Sequence, residues 1–136
     1  MADRNTIEQT LRAAYAARLR GDVDGILQHF MPDARFTMAG AAQASPVAMR
    51  VDGADQLRSA LDGMIKTFVM LDHQVVAMLI DGDNAAVHWR ATIRSSLTGE
   101  TVATEACDLI STKDGKIASF LEFCDTAAAA RLMRRA

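Results

Sequence analysis

The sequence predicts an α+β fold in which helices pack on one face of a curved, mostly antiparallel sheet. Helical and strand-like segments follow one another in the order helix, helix, strand, helix, four strands, helix. This order lacks the regular alternation of strand and helix found in a doubly wound parallel sheet. The turn dipeptides Asp81-Gly82, Thr98-Gly99 and Asp114-Gly115 separate the last four strand-like segments, which is typical of an antiparallel meander.

Length and composition predict one domain that spans residues 1–136. Half of the residues are apolar, 24% are charged and the formal net charge is -2, which favours a globular protein over a disordered one or a nucleic-acid binder. No apolar stretch is long enough for a membrane span or a signal peptide, so we expect a cytoplasmic protein without a membrane partner. Cys107 and Cys124 match neither a disulfide framework nor a zinc spacing.

Caps and apolar spacing mark the first two helices. Asn5 and Thr6 are candidate N-caps of a helix that ends at Gly21. Its buried face is predicted from apolar residues at helical spacing: Ile7, Leu11, Tyr15 and Leu19. Asp22 can cap a second, short helix, which Pro32 ends because proline lacks a backbone donor.

The third helix and the closing helix lie on either side of the meander in the sequence. The third helix begins after Asp52, and its apolar face is formed by Leu57, Leu61, Met64, Ile65 and Phe68. Asp125 is predicted to cap the closing helix, TAAAARLMRR. We therefore expect a capping role for the Asp125 carboxylate rather than a catalytic one.

Strand patterns account for most of the remaining chain. A short strand is predicted at residues 34–38. The stretch 39–52 has no clear period and is predicted to be a loop, of a length that is often functional. The four strands of the meander are predicted at 71–80, 85–96, 101–112 and 116–124.

Alternation along the predicted strand 85–96 assigns its two faces. The side chains expected to face the helices are Val87, Trp89, Ala91 and Ile93. A two-residue turn at Thr98-Gly99 would place Trp89 opposite Asp108 and Ala91 opposite Ala106, so that Asp108 points toward the helices. A three-residue loop at 113–115 would pair Asp108 with Phe120 and bring Glu122 to the same face.

The sequence leaves a second register open. Both faces of the last two strands mix polar and apolar residues, and a shift of one residue exchanges the faces. That register would turn a different set of side chains inward: Glu105, Cys107, Leu109, Leu121 and Phe123.

In the first register, Asp108 and Glu122 share an apolar concave face. Desolvation and mutual repulsion raise the pKa of such carboxyl groups, which makes one of them a proton donor or base near neutral pH. The competing interpretation is that each carboxylate is hydrogen-bonded to a neighbour and has only a structural role. The predicted pocket wall consists of Tyr15, Met38, Met64, Trp89, Ala91, Thr104, Ala106 and Phe120. The histidines are too scattered to predict a metal site: His29, His73 and His88.

Three strings resemble the SnoaL-like branch of the nuclear-transport-factor-like superfamily: RGDVDGILQHFMPDARF at 20–36, VDGADQLRSAL at 51–61 and STKDGKIASFLEFCDTAAAARL at 111–132. The resemblance covers nearly the whole chain. It implies a cone-shaped curved sheet wrapped around three helices, with an apolar pocket inside and a C-terminal helix. Many members of the branch pair through the outer sheet face, so the resemblance also implies a homodimer. The branch includes ketosteroid isomerase, limonene epoxide hydrolase and polyketide cyclases.

The resemblance to ketosteroid isomerase is partial at the level of single residues. Asp108 falls where that enzyme keeps a protonated aspartic acid that donates to an oxyanion. Met38 occupies the position of its catalytic base, and a methionine cannot accept a proton. Ala14 occupies the position of its tyrosine, with Tyr15 one residue away.

The resemblance to the other two enzymes centres on the last strand. Glu122 is similar to the last-strand carboxylate of limonene epoxide hydrolase and to the acid/base carboxylate of the polyketide cyclases. Trp89 and Ala91 stand where the epoxide hydrolase has an arginine and a second aspartate. The polyketide cyclases also place a polar residue about where Asp108 lies, which makes them the best match.

Together these observations predict a protein that binds a small apolar molecule in the cone pocket. It would catalyse a cofactor-free acid/base step such as isomerisation, cyclisation or hydration, with Glu122 as acid or base and Asp108 as a neutral donor to a ligand oxygen. No metal, nucleic acid or cofactor is expected. The alternative is a non-catalytic ligand-binding or dimerisation module, which the methionine at position 38 favours.

Overall fold

The computed structural model describes residues 2–134. The helices are α1 (Arg4–Arg20), α2 (Val23–Leu27), α3 (Ala54–Thr67) and α4 (Thr126–Met133). The strands are β1 (Phe30–Met38), β2 (Met49–Asp52), β3 (Phe68–Asp81), β4 (Asn84–Ser95), β5 (Thr101–Lys113) and β6 (Lys116–Cys124). The element order confirms the predicted α+β class, with one additional strand.

The six strands form one sheet in the order β2-β1-β6-β5-β4-β3. The predicted antiparallel meander from β3 to β6 is confirmed, while β1 runs parallel to β6. Irregularities between Met70 and Asp72 and between Val75 and Ala77 interrupt the pairing of β3 with β4. Each inserts an extra residue that bends the strand, so the sheet curves around the helices. We call the face toward the helices the inner face and the opposite face the outer face.

Aspartate side chains begin three of the four helices. The N-cap of α1 is Asp3, whose carboxylate accepts a hydrogen bond from the backbone N–H of Thr6 at 2.8 Å. The predicted caps Asn5 and Thr6 are therefore wrong, because the helix begins earlier and includes both. The predicted caps Asp22 and Asp125 are confirmed.

The first strand and the stretch that follows it differ from the prediction. β1 starts at Phe30 rather than at residue 34, and its regular pairing with β6 is interrupted between Phe30 and Arg35. Pro32 lies in that interruption, where its missing N–H costs no ladder hydrogen bond. The predicted loop 39–52 contains the edge strand β2, which pairs antiparallel with β1.

The meander has the predicted faces but a shifted register. Trp89 pairs with Ala106 instead of Asp108, and Asp108 pairs with Glu122 instead of Phe120. The connection after β4 is longer than two residues, whereas Asp114 and Gly115 form a two-residue turn with φ of 53° and 80°. Each shift is by two residues, which keeps every side chain on its predicted face.

The alternative register is wrong. Leu109 is 44% exposed and Phe123 is 48% exposed, so both lie on the outer face. The core lies between the inner face and the helices, and its most deeply buried apolar side chains are Ile7, Leu11, Leu57, Val87 and Ile117. The cone thus has an apolar interior on the side where Asp108 points.

Candidate functional site

A cavity of about 390 Å³ lies between the inner face of the sheet and the helices. Side chains from α1, α3, the inner strands and α4 line it, and most of them are apolar. A cavity of this size and character suits a small organic molecule. Its apolar wall includes Leu11, Phe36, Leu61, Met70, Ile93 and Leu132.

Asp108 lies behind the cavity wall and is completely buried. Its Oδ2 accepts a hydrogen bond from the Tyr15 hydroxyl at 2.5 Å and another from Trp89 Nε1 at 2.7 Å. Among the described residues, no N–H or hydroxyl donates to its Oδ1. Glu122 lies directly across the strand pair from Asp108, and the charge of Asp108 acts on its carboxyl group.

Glu122 is the member of this carboxyl pair that borders the cavity. Burial raises the pKa of Glu122 well above its ordinary value, and the negative charge of Asp108 raises it further. Burial also raises the pKa of Asp108 to about 6, although the hydrogen bonds from Tyr15 and Trp89 oppose the shift. Since two adjacent buried carboxyls titrate as a unit, the pair holds one proton near neutral pH.

The hydrogen bonds to Asp108 favour Glu122 as the carrier of the shared proton. Tyr15 and Trp89 both donate to Asp108, and two donated hydrogen bonds favour the ionised form of a carboxyl group. Asp108 accepts both hydrogen bonds at one oxygen, and its role as a neutral donor to a ligand stays a prediction.

An aromatic cluster holds the two donors in place. The ring of Tyr15 stacks on His73 with centroids 4.8 Å apart, and His73 lies 5.1 Å from Trp89. Burial lowers the pKa of His73 and the nearby Arg18 lowers it further, so its ring stays neutral. Burial and the charge of Asp108 raise the pKa of Tyr15, so its phenol remains a donor. The one-residue offset of Tyr15 from the ketosteroid isomerase pattern does not prevent its contact with Asp108.

Arg18 is the site residue that the sequence analysis missed. α1 turns Arg18 toward the cavity and leaves Leu19, the predicted core residue, 39% exposed. Its Nη2 donates to the backbone oxygen of Phe68 at 2.8 Å. Burial lowers the pKa of Arg18, and the charge of Glu122 opposes that shift. Residues three and four positions after Tyr15 both lie on the same face of the helix. This spacing could have indicated Arg18 as well as Leu19.

The structure brings together most of the predicted site residues. Those that line the cavity are Tyr15, Met38, Met64, Trp89, Thr104, Ala106, Phe120 and Glu122. Two do not: Asp108 lies behind the wall, and Ala91 is turned to a separate groove beside His73. Ala91 pairs with His73 across the strands.

The remaining titratable groups do not form a second cluster of this kind. Within residues 2–134, no three side chains of His, Cys, Asp or Glu are arranged to hold a metal ion. No helix in that range is both long and apolar enough to cross a membrane. Cys124 borders the cavity as a free thiol, and burial raises its pKa to about 11, which keeps it protonated.

Comparison with known proteins connects the fold to a family. Residues 11–120 match the family described as SnoaL-like domain. No curated protein is significantly similar to the chain. A provisionally named isomerase from Bacillus subtilis has a TM-score of 0.86 at 17% identity, with 97% of this chain and 95% of that chain covered.

Two further solved structures share the fold. A provisionally named SnoaL-like polyketide cyclase from Jannaschia sp. has a TM-score of 0.81 at 17% identity, with 98% of this chain and 97% of that chain covered. A protein with a ketosteroid isomerase-like fold from Catenulispora acidiphila, in complex with trimethylamine, has a TM-score of 0.70 at 13% identity, with 83% and 82% covered. These matches confirm the predicted cone fold.

Proposed function

Because the chain belongs to the family of SnoaL-like domains, we propose that it binds a small, largely apolar molecule in the cone cavity and catalyses a cofactor-free proton transfer on it. The observation that supports this most is the buried pair of Asp108 and Glu122 at the cavity wall. Two adjacent carboxyls at an apolar wall are costly to maintain, and such pairs concentrate at functional sites.

The two carboxyls have different roles in the proposed proton transfer. Glu122 borders the cavity and exchanges a proton with the bound molecule. Asp108, fixed by Tyr15 and Trp89, accepts or returns the proton on the far side of Glu122. When one Glu122 oxygen takes a proton from an acidic C–H, its other oxygen passes a proton to Asp108, and the ligand becomes an enolate. Return of the proton to another carbon of the ligand completes an isomerisation. In a cyclisation the enolate carbon first attacks a carbonyl carbon of the same ligand, and the returned proton goes to the alkoxide oxygen that this attack forms.

A non-catalytic ligand-binding module is the second candidate, and one observation favours it. Met38 is the β1 neighbour of Glu122 and offers no second acid or base on that side of the cavity. A protein with this wall would bind an apolar ligand by shape and by the soft contacts of methionine, without turnover.

Exchange of carbon-bound protons separates the two candidates. We suggest incubating the protein with 2-tetralone in deuterated buffer and following the loss of the α-proton signals by NMR. The proposed function predicts faster exchange with the wild type than with buffer alone, and no acceleration by Glu122→Gln. Glu105→Gln is the matched control, because Glu105 lies in the same sheet but is exposed on its outer side.

The outcomes of this exchange experiment are distinct. Loss of exchange in Glu122→Gln, with wild-type rates in the control, supports catalysis by Glu122. Binding of 2-tetralone without faster exchange in any folded variant supports the ligand-binding module and contradicts the catalytic proposal. Equal exchange by all three proteins would show that another group does the chemistry.

We also propose that two copies pair through the outer sheet face. Large apolar side chains remain exposed there: Leu79, Leu109 and Phe123. Beside them, Arg90 and Glu105 place charges of both signs on the same face. A two-fold axis brings a surface against itself, so the apolar patches would meet and each charge could oppose its counterpart in the second copy.

A further inference from the structure

Arg18 has unused hydrogen-bonding capacity beside the cavity. A guanidinium group has five N–H donors, and the structure shows one hydrogen bond from Arg18, to the oxygen of Phe68. None of the ion pairs formed within residues 2–134 includes Arg18. The free donors are enough for a two-pronged contact with a planar oxygen group.

The other charged residues along the cavity are acidic: Glu122, Glu105, which pairs with Arg90 on the outer face, and Asp125, which caps α4. Among the described residues that line it, Arg18 is the one cationic side chain. Glu122 lies close enough to interact with Arg18 electrostatically, but among the described residues the two side chains form no ion pair. A half-buried cation in an apolar wall is costly unless a ligand supplies the opposite charge.

From this arrangement we infer that Arg18 selects a small organic acid, a molecule with an apolar body and one carboxylate group. The inference deepens the proposed function, on which it rests, by naming the class of ligand. The carboxylate would accept two hydrogen bonds from Arg18, and the apolar body would lie along the cavity. These contacts would hold one carbon of the bound molecule in a fixed position beside the Glu122 carboxyl.

Paired probes of nearly equal shape test the selection. We suggest measuring the binding of 2-naphthoate and of 2-naphthamide by isothermal titration calorimetry. The inference predicts that the wild type binds the carboxylate at least about tenfold more tightly than the amide, because a hydrogen bond to a charged group is the stronger kind. Arg18→Gln should remove this preference and leave binding of the amide nearly unchanged.

Two further variants exclude a purely structural explanation. Arg18→Lys keeps the charge and should retain part of the preference for 2-naphthoate. Arg20→Gln removes a positive charge from the same helix at a side chain that is 60% exposed, and should leave the preference intact. Arg18→Gln and Arg18→Lys that weaken both probes equally would overturn the inference, because Arg18 would then act only through the Phe68 contact.

Failure of the inference can be told apart from failure of the proposed function. Equal affinity of the wild type for both probes would contradict selection by Arg18 and leave the proton-transfer proposal standing. Absence of binding by either probe to the folded wild type would contradict the cavity as a binding site, and with it both proposals.

Discussion

Two glutamates of the same sheet show opposite behaviour. Glu105 lies on the outer face, where His88 Nε2 lies 2.6 Å from its carboxylate and Arg90 donates to the same oxygen at 3.2 Å. These partners hold the pKa of Glu105 below its ordinary value. Glu122 lies on the inner face, where burial and the charge of Asp108 raise its pKa well above that value. The two side chains have identical chemistry, so their surroundings alone separate them.

The comparison shows how strand alternation produces a proton-transfer site. Successive residues of β5 point to opposite faces, so a strand can carry an ordinary ion pair on one side and a buried acid on the other. The outer face keeps its carboxylates in water with cations beside them. On the inner face, Asp108 has two neutral donors instead of a cation. Because no positive charge pairs with Asp108, it can share a proton with Glu122.

Loss of the Asp108 carboxylate should have the largest effect on stability. Asp108→Ala leaves the Tyr15 hydroxyl and the Trp89 indole N–H buried without an acceptor. We expect the free energy of unfolding to fall by about 2 to 5 kcal/mol, measured by guanidinium denaturation. Glu105→Ala on the outer face should leave stability close to that of the wild type. A small effect of Asp108→Ala would show that water replaces the carboxylate.

The stability of the protein should depend on pH through Asp108. In the folded state the pKa of Asp108 is raised to about 6, whereas its ordinary value in an unfolded chain is 3.8. Between about pH 4 and pH 6 the folded state therefore binds more protons than the unfolded state. The stabilisation from protonated Asp108 is lost as the pH rises through this range. The advantage of wild type over Asp108→Asn should shrink over this window by up to about 1.4 kcal/mol per pKa unit. A difference that does not change with pH would contradict the raised pKa.

A smaller effect is expected from Tyr15→Phe. This change deletes one donor to Asp108 and keeps the ring that stacks on His73. We expect the pKa of Asp108 to rise further, because the lost hydrogen bond favours the ionised form, and stability to fall by about 1 to 2 kcal/mol. Carboxyl NMR and denaturation measure the two effects. A lowered Asp108 pKa would contradict the assigned direction of the Tyr15 hydrogen bond.

The outer face should tolerate substitution in the monomer. Leu109→Lys places a charge on a side chain that is 44% exposed, so we expect monomer stability to change by less than about 0.5 kcal/mol. The same change should abolish the proposed dimer in sedimentation equilibrium at micromolar concentration. Gln9→Lys adds the same charge on α1 and should leave the dimer intact. A wild type that is monomeric at these concentrations would contradict the dimer.

Alternation explains why the faces could be predicted although the register was wrong. The predicted pairs of Asp108 with Trp89 and with Phe120 each miss by two residues. An error of two residues preserves the face, so the prediction of an inward Asp108 and Glu122 holds. The exact partner depends on loop lengths, and the turn dipeptides do not determine these.

Two other features of the structure could not be predicted from the sequence pattern. β2 has four residues at the sheet edge, and alternation over so short a stretch does not indicate a strand without the pairing to β1. The proton on Glu122 depends on Tyr15 and Trp89 meeting at one oxygen of Asp108, across 93 and 19 residues of sequence. Such long-range contacts decide protonation and leave no local signal.

The most direct test of the account is a carbon-detected NMR titration of the side-chain carboxyls, with Glu122→Gln and Glu105→Gln used to assign the two signals. We expect Glu105 to titrate below its ordinary pKa and Glu122 to titrate well above its ordinary pKa. We also expect Asp108→Asn to lower the pKa of Glu122, because the neighbouring charge is gone. Titration of both glutamates at their ordinary values would contradict a shared proton at the cavity wall.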